Sequence, residues 1–241
     1  MDHRRFQRLS IELLNVVYDW DKGMVAAAQL REYFKPILDD RRREPQDDLI
    51  STLAEAEIDG QRLTDEEILS FLLLILPAGV ETTYRSSGNL LVALLTHPQY
   101  LEEARGNEAF LRTAIEEGLR WEPPITSLIR TAIVDAELGG MPVKADDGIN
   151  VSIAAANRDP ARFEDPTVFN PHRSDLSHMT FGYGPHICLG MHLARMESAV
   201  ALGMLFERIP GLHLDPDAEP PKITGVAFRS PADIRARLYT T

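Results

Sequence analysis

Apolar side chains along most of the chain recur at the three- to four-residue spacing of amphipathic helices. This spacing predicts a helix from Met24 to about Arg43, where a closing run of arginines suits the negative end of the helix dipole. It also predicts a short helix over Leu49–Glu57 and a longer one over Glu108–Trp121. Between Ile125 and Ala156 the period falls towards two, which predicts short strands joined by hairpins.

The longest predicted helix follows the run Thr64-Asp65-Glu66-Glu67, which has the pattern of a capping box. The helix covers about residues 65–96 and would span roughly 48 Å at 1.5 Å per residue. Residues 71–76 are apolar on all sides, so we expect the middle of this helix to be buried. Pro77 and Gly79 then weaken the helix inside that stretch, which suggests a functional reason for the distortion.

The last part of the chain contains a glycine-rich loop over residues 181–190. A helix is predicted from Leu189 to about Arg208, and irregular strands follow from Gly211 onward. The fold class is therefore mainly α with a small β component (α+β), and residues 1–241 are expected to form a single domain.

The composition narrows the possible functions. Lys and Arg number 25 against 37 Asp and Glu, for a net charge of -12, which argues against a nucleic-acid or anionic-membrane binder. A single cysteine cannot form an internal disulfide. The first residues contain no apolar leader segment, and the longest apolar run, Phe71–Ala78, is short of the ~20 residues of a membrane helix. We therefore expect a soluble, cytoplasmic protein without a membrane segment.

The one cysteine lies in the run Phe181-Gly182-Tyr183-Gly184-Pro185-His186-Ile187-Cys188-Leu189-Gly190. A lone cysteine is most often a buried, inert side chain. Cys188 could instead form a zinc site with His178, His186 and His192, or act as a nucleophile with His186 as its base.

The same run matches the cysteine-loop motif of cytochromes P-450, Phe-Gly-x-Gly-x-His-x-Cys-x-Gly, at six positions. A match of this length outweighs an inert cysteine, a zinc site and a nucleophile, and the chain therefore resembles the C-terminal part of a bacterial, soluble cytochrome P-450. The resemblance implies a haem (iron protoporphyrin IX) with the Cys188 thiolate as axial iron ligand. A thiolate ligand pushes electron density onto haem iron and favours cleavage of the O–O bond.

The resemblance also implies roles for the other residues of the loop. Phe181 would pack beside the sulfur and shield it from water, and His186 would contact a haem propionate. Gly182, Gly184 and Gly190 would let the backbone approach the porphyrin and adopt positive φ where needed.

Within the long helix, Ala78-Gly79-Val80-Glu81-Thr82-Thr83 resembles the oxygen-binding segment of the family. The resemblance implies that the small residues Ala78 and Gly79 leave room for dioxygen. It also implies that the Thr82 hydroxyl bonds the bound oxygen while Glu81 relays protons from solvent. A hydroxyl bonded back to the carbonyl four residues earlier is an equally common state for such a threonine.

Glu117-Gly118-Leu119-Arg120 resembles the Glu-x-x-Arg pair of the family. Glu102 and Arg105 have the same spacing, but only the first pair lies between the oxygen-binding segment and the cysteine loop. The third member of the family triad is supplied by Phe169-Asn170-Pro171-His172-Arg173. The resemblance implies a structural role for this triad: Glu117, Arg120 and Arg173.

Arg130 occupies the position of a propionate-binding arginine in the family, although it could equally form a surface salt bridge. The resemblance as a whole implies a monooxygenase that inserts one atom of dioxygen into an apolar small molecule. Its electrons would come from a ferredoxin- or flavodoxin-like partner. Family members are much longer, so the chain is expected to begin near the middle of one. The competing hypothesis is a truncated or decayed relative that binds haem weakly or is purely structural.

Overall fold

The computed structural model describes residues 3–14 and 19–239, so the first two residues of the N-terminal segment lie outside the described residues. The chain forms two compact units, Met1–Glu81 and Thr82–Thr241, which divide within one long helix. The helices are α1 (His3–Leu14), α2 (Trp20–Arg43), α3 (Leu49–Glu55), α4 (Asp65–Thr96), α5 (Pro98–Ala104), α6 (Glu108–Trp121), α7 (Ile153–Ala156) and α8 (Met191–Arg208). The strands are β1 (Glu57–Ile58), β2 (Gln61–Arg62), β3 (Ser127–Thr131), β4 (Ala136–Leu138), β5 (Met141–Val143), β6 (Gly148–Ser152), β7 (His213–Leu214), β8 (Ile223–Thr224), β9 (Ser230–Pro231) and β10 (Ala236–Arg237).

The first unit is a small helical unit with one hairpin. Its core is formed by buried side chains of α1, α2, α3 and the first turns of α4, among them Leu9, Leu30 and Ile68. Strands β1 and β2 pair antiparallel around a turn at Asp59 and Gly60, whose φ values are 53° and 77°. Asp and Gly both tolerate positive φ, which suits this pair of residues to such a turn.

The capping box at the start of α4 is confirmed. The Thr64 N–H donates to Glu67 Oε2 at 2.8 Å, and the Glu67 N–H donates to Thr64 Oγ1 at 3.3 Å. These bonds satisfy backbone donors that a helix start otherwise leaves unpaired. The helix then runs from Asp65 to Thr96, as the sequence predicts, and continues through Pro77.

The prediction that the middle of α4 is buried is wrong for one face. Leu72 is buried in the core of the first unit, but 65% of Leu74 and 70% of Val80 is exposed. The reason is that the described chain covers only one side of a segment that is apolar on all sides. An 18-residue window of α4 has a mean hydropathy of 1.4, so by length and composition alone this helix could cross a membrane. One such helix is weak evidence, because the central helix of a soluble protein passes the same test.

The second unit combines helices with four short antiparallel strand pairs along its described residues. Its core is formed by the end of α4 with α5, α6 and α8, and includes Leu94, Ile115 and Phe206. Strand β3 pairs with β6, and β4 with β5 around a turn at Gly139 and Gly140. The strand pairs β7–β10 and β8–β9 form the tail. The predicted α+β class is confirmed.

Some helix boundaries differ from the predicted ones. Helices α1, α5 and α7 are absent from the prediction, and α7 lies in a range predicted as strands. Helix α5 begins with Pro98, a residue favoured in the first turn of a helix. Helix α2 begins at Trp20 because the side chain of Asp19 accepts the Lys22 N–H at 3.1 Å and caps it. Helix α3 ends at Glu55, since the chain turns into β1 at Glu57.

Helix α8 begins at Met191, not at Leu189 as predicted. Gly190 is its N-cap, and the Met191 N–H donates to the Cys188 carbonyl at 3.4 Å. Cys188 and Leu189 therefore belong to the loop, directly before the helix N-terminus.

The capping box yields a stability prediction. Thr64→Ala removes the side-chain acceptor at the start of α4 and should lower the free energy of unfolding by about 1 kcal/mol. Thr52→Ala is the control, because Thr52 is an exposed helix residue whose hydroxyl only bonds back to Asp48 O. Its effect should stay within about 0.5 kcal/mol. Urea unfolding followed by circular dichroism measures both, and equal losses would contradict a specific role of the cap.

Candidate functional site

The loop that carries Cys188 is folded by its own backbone. The Cys188 N–H donates to Phe181 O at 2.8 Å, and the Ile187 N–H donates to Gly184 O at 3.0 Å. A single 3-10 turn over Gly184–His186 lies between them. These bonds turn the chain back on itself, so that Phe181 and Cys188 become neighbours.

Two of the loop glycines adopt the backbone conformation that L side chains disfavour. Gly182 has a φ of 74° and Gly184 a φ of 79°, as the sequence predicts. Gly190 has a φ of -86°, which is open to any residue, so positive φ is not needed at this position. A Cβ built at Gly184 or Gly190 would meet no atom within 4 Å, so the loop presents bare backbone to open space.

Cys188 is a free, exposed cysteine. The hypothesis of a buried, inert cysteine is therefore wrong. Phe181, the expected neighbour of the sulfur, is half-buried.

A zinc site and a nucleophilic cysteine also fail on geometry. No group of three His, Cys, Asp or Glu side chains among the described residues could hold a bare metal ion, which contradicts the zinc site with His178, His186 and His192. No hydrogen bond in the described chain joins Cys188 to His186, as a nucleophile and its base would require.

The loop fits a large, flat, apolar cofactor attached through one protein ligand. It offers one exposed sulfur, bare glycine backbone and exposed apolar side chains at Ile187 and Leu189. These groups would fit a haem held by one cysteine thiolate.

The structure shows a charged cluster behind the loop that sequence reasoning missed. Arg195 of α8 donates from Nε and Nη2 to the two carboxylate oxygens of Glu116 of α6, at 2.7 and 2.8 Å. The same guanidinium lies over the Phe181 ring, 4.5 Å from its centroid. The buried ring of His178 lies 5.6 Å from Phe181 on another side. Nothing in the sequence indicates that Glu116 and Arg195 pair.

Charge pairing shifts the pKa of both partners. Burial raises the pKa of Glu116, but the contacts with Arg195 and His178 outweigh it and lower the pKa to about 2. The hydrogen bond with Glu116 raises the pKa of Arg195, and the negative charge of Cys188 adds to that effect. His178 Nδ1 accepts the Thr180 N–H at 3.2 Å. We therefore assign the proton to Nε2, which lies 3.3 Å from Glu116 Oε2 but is not aligned for a hydrogen bond.

The residues of the predicted structural triad are brought together. Arg120 donates from Nε and Nη2 to Glu117 Oε2 and Oε1, at 2.7 and 2.8 Å, and both side chains are fully buried. Arg173 Nε donates to Glu117 Oε1 at 3.2 Å, and the Asn170 N–H donates to the same oxygen at 2.8 Å. Glu117 thus accepts hydrogen bonds from three residues, which satisfies a carboxylate that has no access to water.

Arg120 also anchors the chain that precedes the cysteine loop. Its guanidinium donates to the carbonyl oxygens of Asn157, Pro166 and Val168, at 2.8, 2.9 and 3.1 Å. The side chain of Asn157 then donates to Thr180 Oγ1 at 2.9 Å. The N-terminal end of the loop is therefore connected to α6 through buried hydrogen bonds.

The two predicted propionate contacts are exposed. Arg130 lies in β3 and donates from Nη1 to its neighbour's carbonyl, Ile129 O, at 3.0 Å. It makes no ion pair with a described residue, so the surface salt bridge is not seen. His186 lies in the 3-10 turn of the loop. Both side chains have donor groups open to solvent, as an anionic ligand would need.

The predicted oxygen-binding residues lie on α4, at the division between the two units. Ala78 and Gly79 are exposed, and a Cβ built at Gly79 would meet no atom within 4 Å. Glu81 and Thr82 are half-buried. The small residues thus leave one side of the helix backbone bare.

Comparison with known proteins identifies the family. The sequence profile described as Cytochrome P450 matches residues 6–231. The biotin biosynthesis cytochrome P450 of Bacillus subtilis is 39% identical over 193 residues. The crystal structure of a Bacillus megaterium cytochrome P450 in complex with testosterone has a TM-score of 0.89 at 34% identity. The chain belongs to the cytochrome P450 family.

The shared region covers part of each relative. The alignment spans 80% of this chain but 49% of the biotin biosynthesis protein. The superposition with the Bacillus megaterium structure covers 98% of this chain and 66% of that chain. The chain therefore spans about half the length of the curated relatives it matches.

The buried triad yields a stability prediction. Glu117→Gln leaves two buried arginines without their countercharge and should lower the free energy of unfolding by about 3–5 kcal/mol. Glu102→Gln is the matched control, because Glu102 and Arg105 form an i, i+3 pair in which Glu102 is 67% exposed. Its loss should be below about 1 kcal/mol. Denaturant titration measures both, and similar losses would contradict the structural importance of Glu117.

The lowered pKa of Glu116 yields a pH prediction. A carboxyl whose pKa falls from 4.5 to about 2 on folding stabilises the fold above pH 4.5, and this contribution is lost as the pH falls towards 2. Parent and Glu116→Gln should therefore differ most in free energy of unfolding near pH 7 and converge at acid pH. Urea titrations at a series of pH values measure the difference, with the exposed residue change Glu108→Gln as control. A difference independent of pH would contradict the lowered pKa.

Proposed function

We propose that this chain provides the haem-binding and oxygen-activating part of a bacterial cytochrome P450 monooxygenase. The observation that carries the proposal is the exposed Cys188, which lies at the end of a folded glycine loop and next to bare backbone. The reaction would insert one atom of dioxygen into a C–H bond and reduce the other to water, which consumes two electrons and two protons.

The cysteine loop would hold the haem. Cys188 would bind the iron through its sulfur, with the backbone of Gly182 and Gly190 next to the porphyrin and Phe181 beside the sulfur. When bound, haem supplies the iron at which dioxygen is bound and reduced. The thiolate is favoured by its place directly before the N-terminus of α8, where the helix dipole stabilises a negative charge.

The propionates would be held by Arg130 and His186. A guanidinium pairs with a carboxylate through charge-assisted hydrogen bonds, and an imidazole donates one more. Both side chains belong to the second unit and have exposed polar ends. These two donors would hold the cofactor by its carboxylates.

Proton delivery would depend on α4. Ala78 and Gly79 leave the helix backbone bare, as a small diatomic ligand requires. The Thr82 hydroxyl would donate a hydrogen bond to bound oxygen, and the Glu81 carboxyl would pass protons from solvent to that hydroxyl. The half-buried state of both residues suits groups that link solvent to a site.

The substrate class and partners follow from the same reasoning. Exposed apolar residues on α4 and in the loop suit an apolar small molecule, and one related structure holds a steroid, testosterone. Electrons would come from a ferredoxin- or flavodoxin-like partner. A cytoplasmic location would place the protein with such a partner, and bacterial relatives such as the biotin biosynthesis protein fit this view.

A second candidate function is a partial relative that binds haem weakly or serves a purely structural role. The observation that favours this role is length, since the chain spans about half the length of the curated relatives it matches. Exposed apolar surface on α4, including Leu74 and Val80, also suits a part that needs further covering.

Haem titration tests the proposal. The purified chain is titrated with haemin, reduced and exposed to carbon monoxide, and we expect a strongly red-shifted Soret band from the thiolate. Cys188→Ser should abolish this band, because a neutral hydroxyl is a poor substitute for a thiolate. Tyr183→Ser is the control, since this exposed loop position is free in the motif.

The outcomes separate the two functions. Stoichiometric haem with the red-shifted band and product formation with a surrogate ferredoxin supports the monooxygenase. Weak haem binding without turnover supports the partial relative. A red-shifted band that survives Cys188→Ser would show that Cys188 is not the ligand.

A further inference from the structure

Two adjacent glutamates of α6 form separate ion pairs. Successive residues of a helix point about 100° apart, so neighbours on the chain face different surroundings. Glu117 faces the buried triad, whereas Glu116 faces Arg195 of α8. The first pair connects α6 to the segment before the cysteine loop, and the second connects α6 to the helix after it.

The second pair holds an aromatic ring of the loop. The guanidinium of Arg195 is fixed by two short hydrogen bonds to Glu116, and its flat face lies 4.5 Å from the centre of Phe181. An arginine can donate along its edge and stack through its face at the same time, which a lysine cannot do. The ring of His178 packs against Phe181 at 5.6 Å and limits the ring further.

Phe181 is in turn connected to the ligand cysteine by its backbone. The Cys188 N–H donates to Phe181 O at 2.8 Å, so a displacement of Phe181 would be passed on to Cys188.

We propose that Glu116 and Arg195 are positioning residues for the haem ligand. They hold the Phe181 ring in place, and through the Phe181 carbonyl they also hold the backbone of Cys188. The loop would therefore have its binding geometry before the cofactor arrives. The proposal rests on the proposed haem binding and adds a second ion pair to the family triad. Neither residue touches the cofactor in this mechanism, since both act through Phe181.

Hydrogen exchange of the haem-free chain is the first test. Arg195→Met and Glu116→Gln should speed amide exchange at Gly182 and Cys188 by roughly tenfold, the equivalent of a lost cation–π contact and ion pair. Arg195→Lys keeps the positive charge but loses the planar guanidinium that stacks on Phe181 and donates two hydrogen bonds to Glu116. The amide exchange rates of this variant should therefore stay close to those of Arg195→Met. The control is Arg112→Met, which removes an exposed α6 ion pair with Glu108.

The pattern of exchange decides between positioning and general stabilisation. A positioning pair accelerates exchange of the loop amides more than that of the α6 amides, beyond any uniform change that a loss of global stability produces. Unchanged loop rates would overturn the proposal. So would equal acceleration throughout the second unit, or full rescue by Arg195→Lys.

The second test uses the haem-loaded chain. Arg195→Met should bind haemin but show a smaller share of the red-shifted carbon-monoxide band than the parent and a shifted reduction potential. An unchanged band share and potential would overturn the role in ligand positioning, whatever the exchange rates show. If the parent itself forms no red-shifted band, the proposed function fails, and the exchange rates alone decide whether the pair positions the loop.

Discussion

The buried ion pair between Glu117 and Arg120 is the constraint on which the site depends. Neither side chain has access to water, so each charge needs the other and a full set of hydrogen bonds. Arg120 satisfies its remaining donors with backbone carbonyls of the segment before the cysteine loop. Removal of either charge would leave the other buried and unpaired, and the loop segment would lose its attachment to α6.

The cysteine loop is attached to α6 by two sets of contacts. Asn157 connects to Thr180 at the start of the loop, and Thr180 donates to Leu119 O of α6, through two partly buried hydrogen bonds. Glu116 and Arg195 reach the Phe181 ring from the other side. Between these attachments the glycines leave the backbone bare, so a rigid scaffold presents an open loop to a ligand.

The long helix α4 is fixed at both ends but exposes apolar side chains between them. It is fixed at its start by a capping box and at its end by the core of the second unit, yet Leu74 and Val80 between them are exposed. Exposed apolar residues beside bare glycine backbone at Gly79 are poor choices for a solvated helix. They suit a surface that contacts an apolar ligand or further protein, which agrees with an alignment that covers about half of a curated relative.

The sequence alone was sufficient wherever the signal is local. The capping box at Thr64, the extent of α4 and the loop around Cys188 depend on residues close together in the chain, and each was predicted. The pairing of Glu117 with Arg120 is local as well, since the two residues are one helical turn apart. The tertiary structure alone decided that Glu116 meets Arg195 and that Gly190 needs no special φ. The contact between Glu116 and Arg195 joins residues far apart in sequence. No periodicity or motif specifies which charged side chains of two helices will meet once the helices pack.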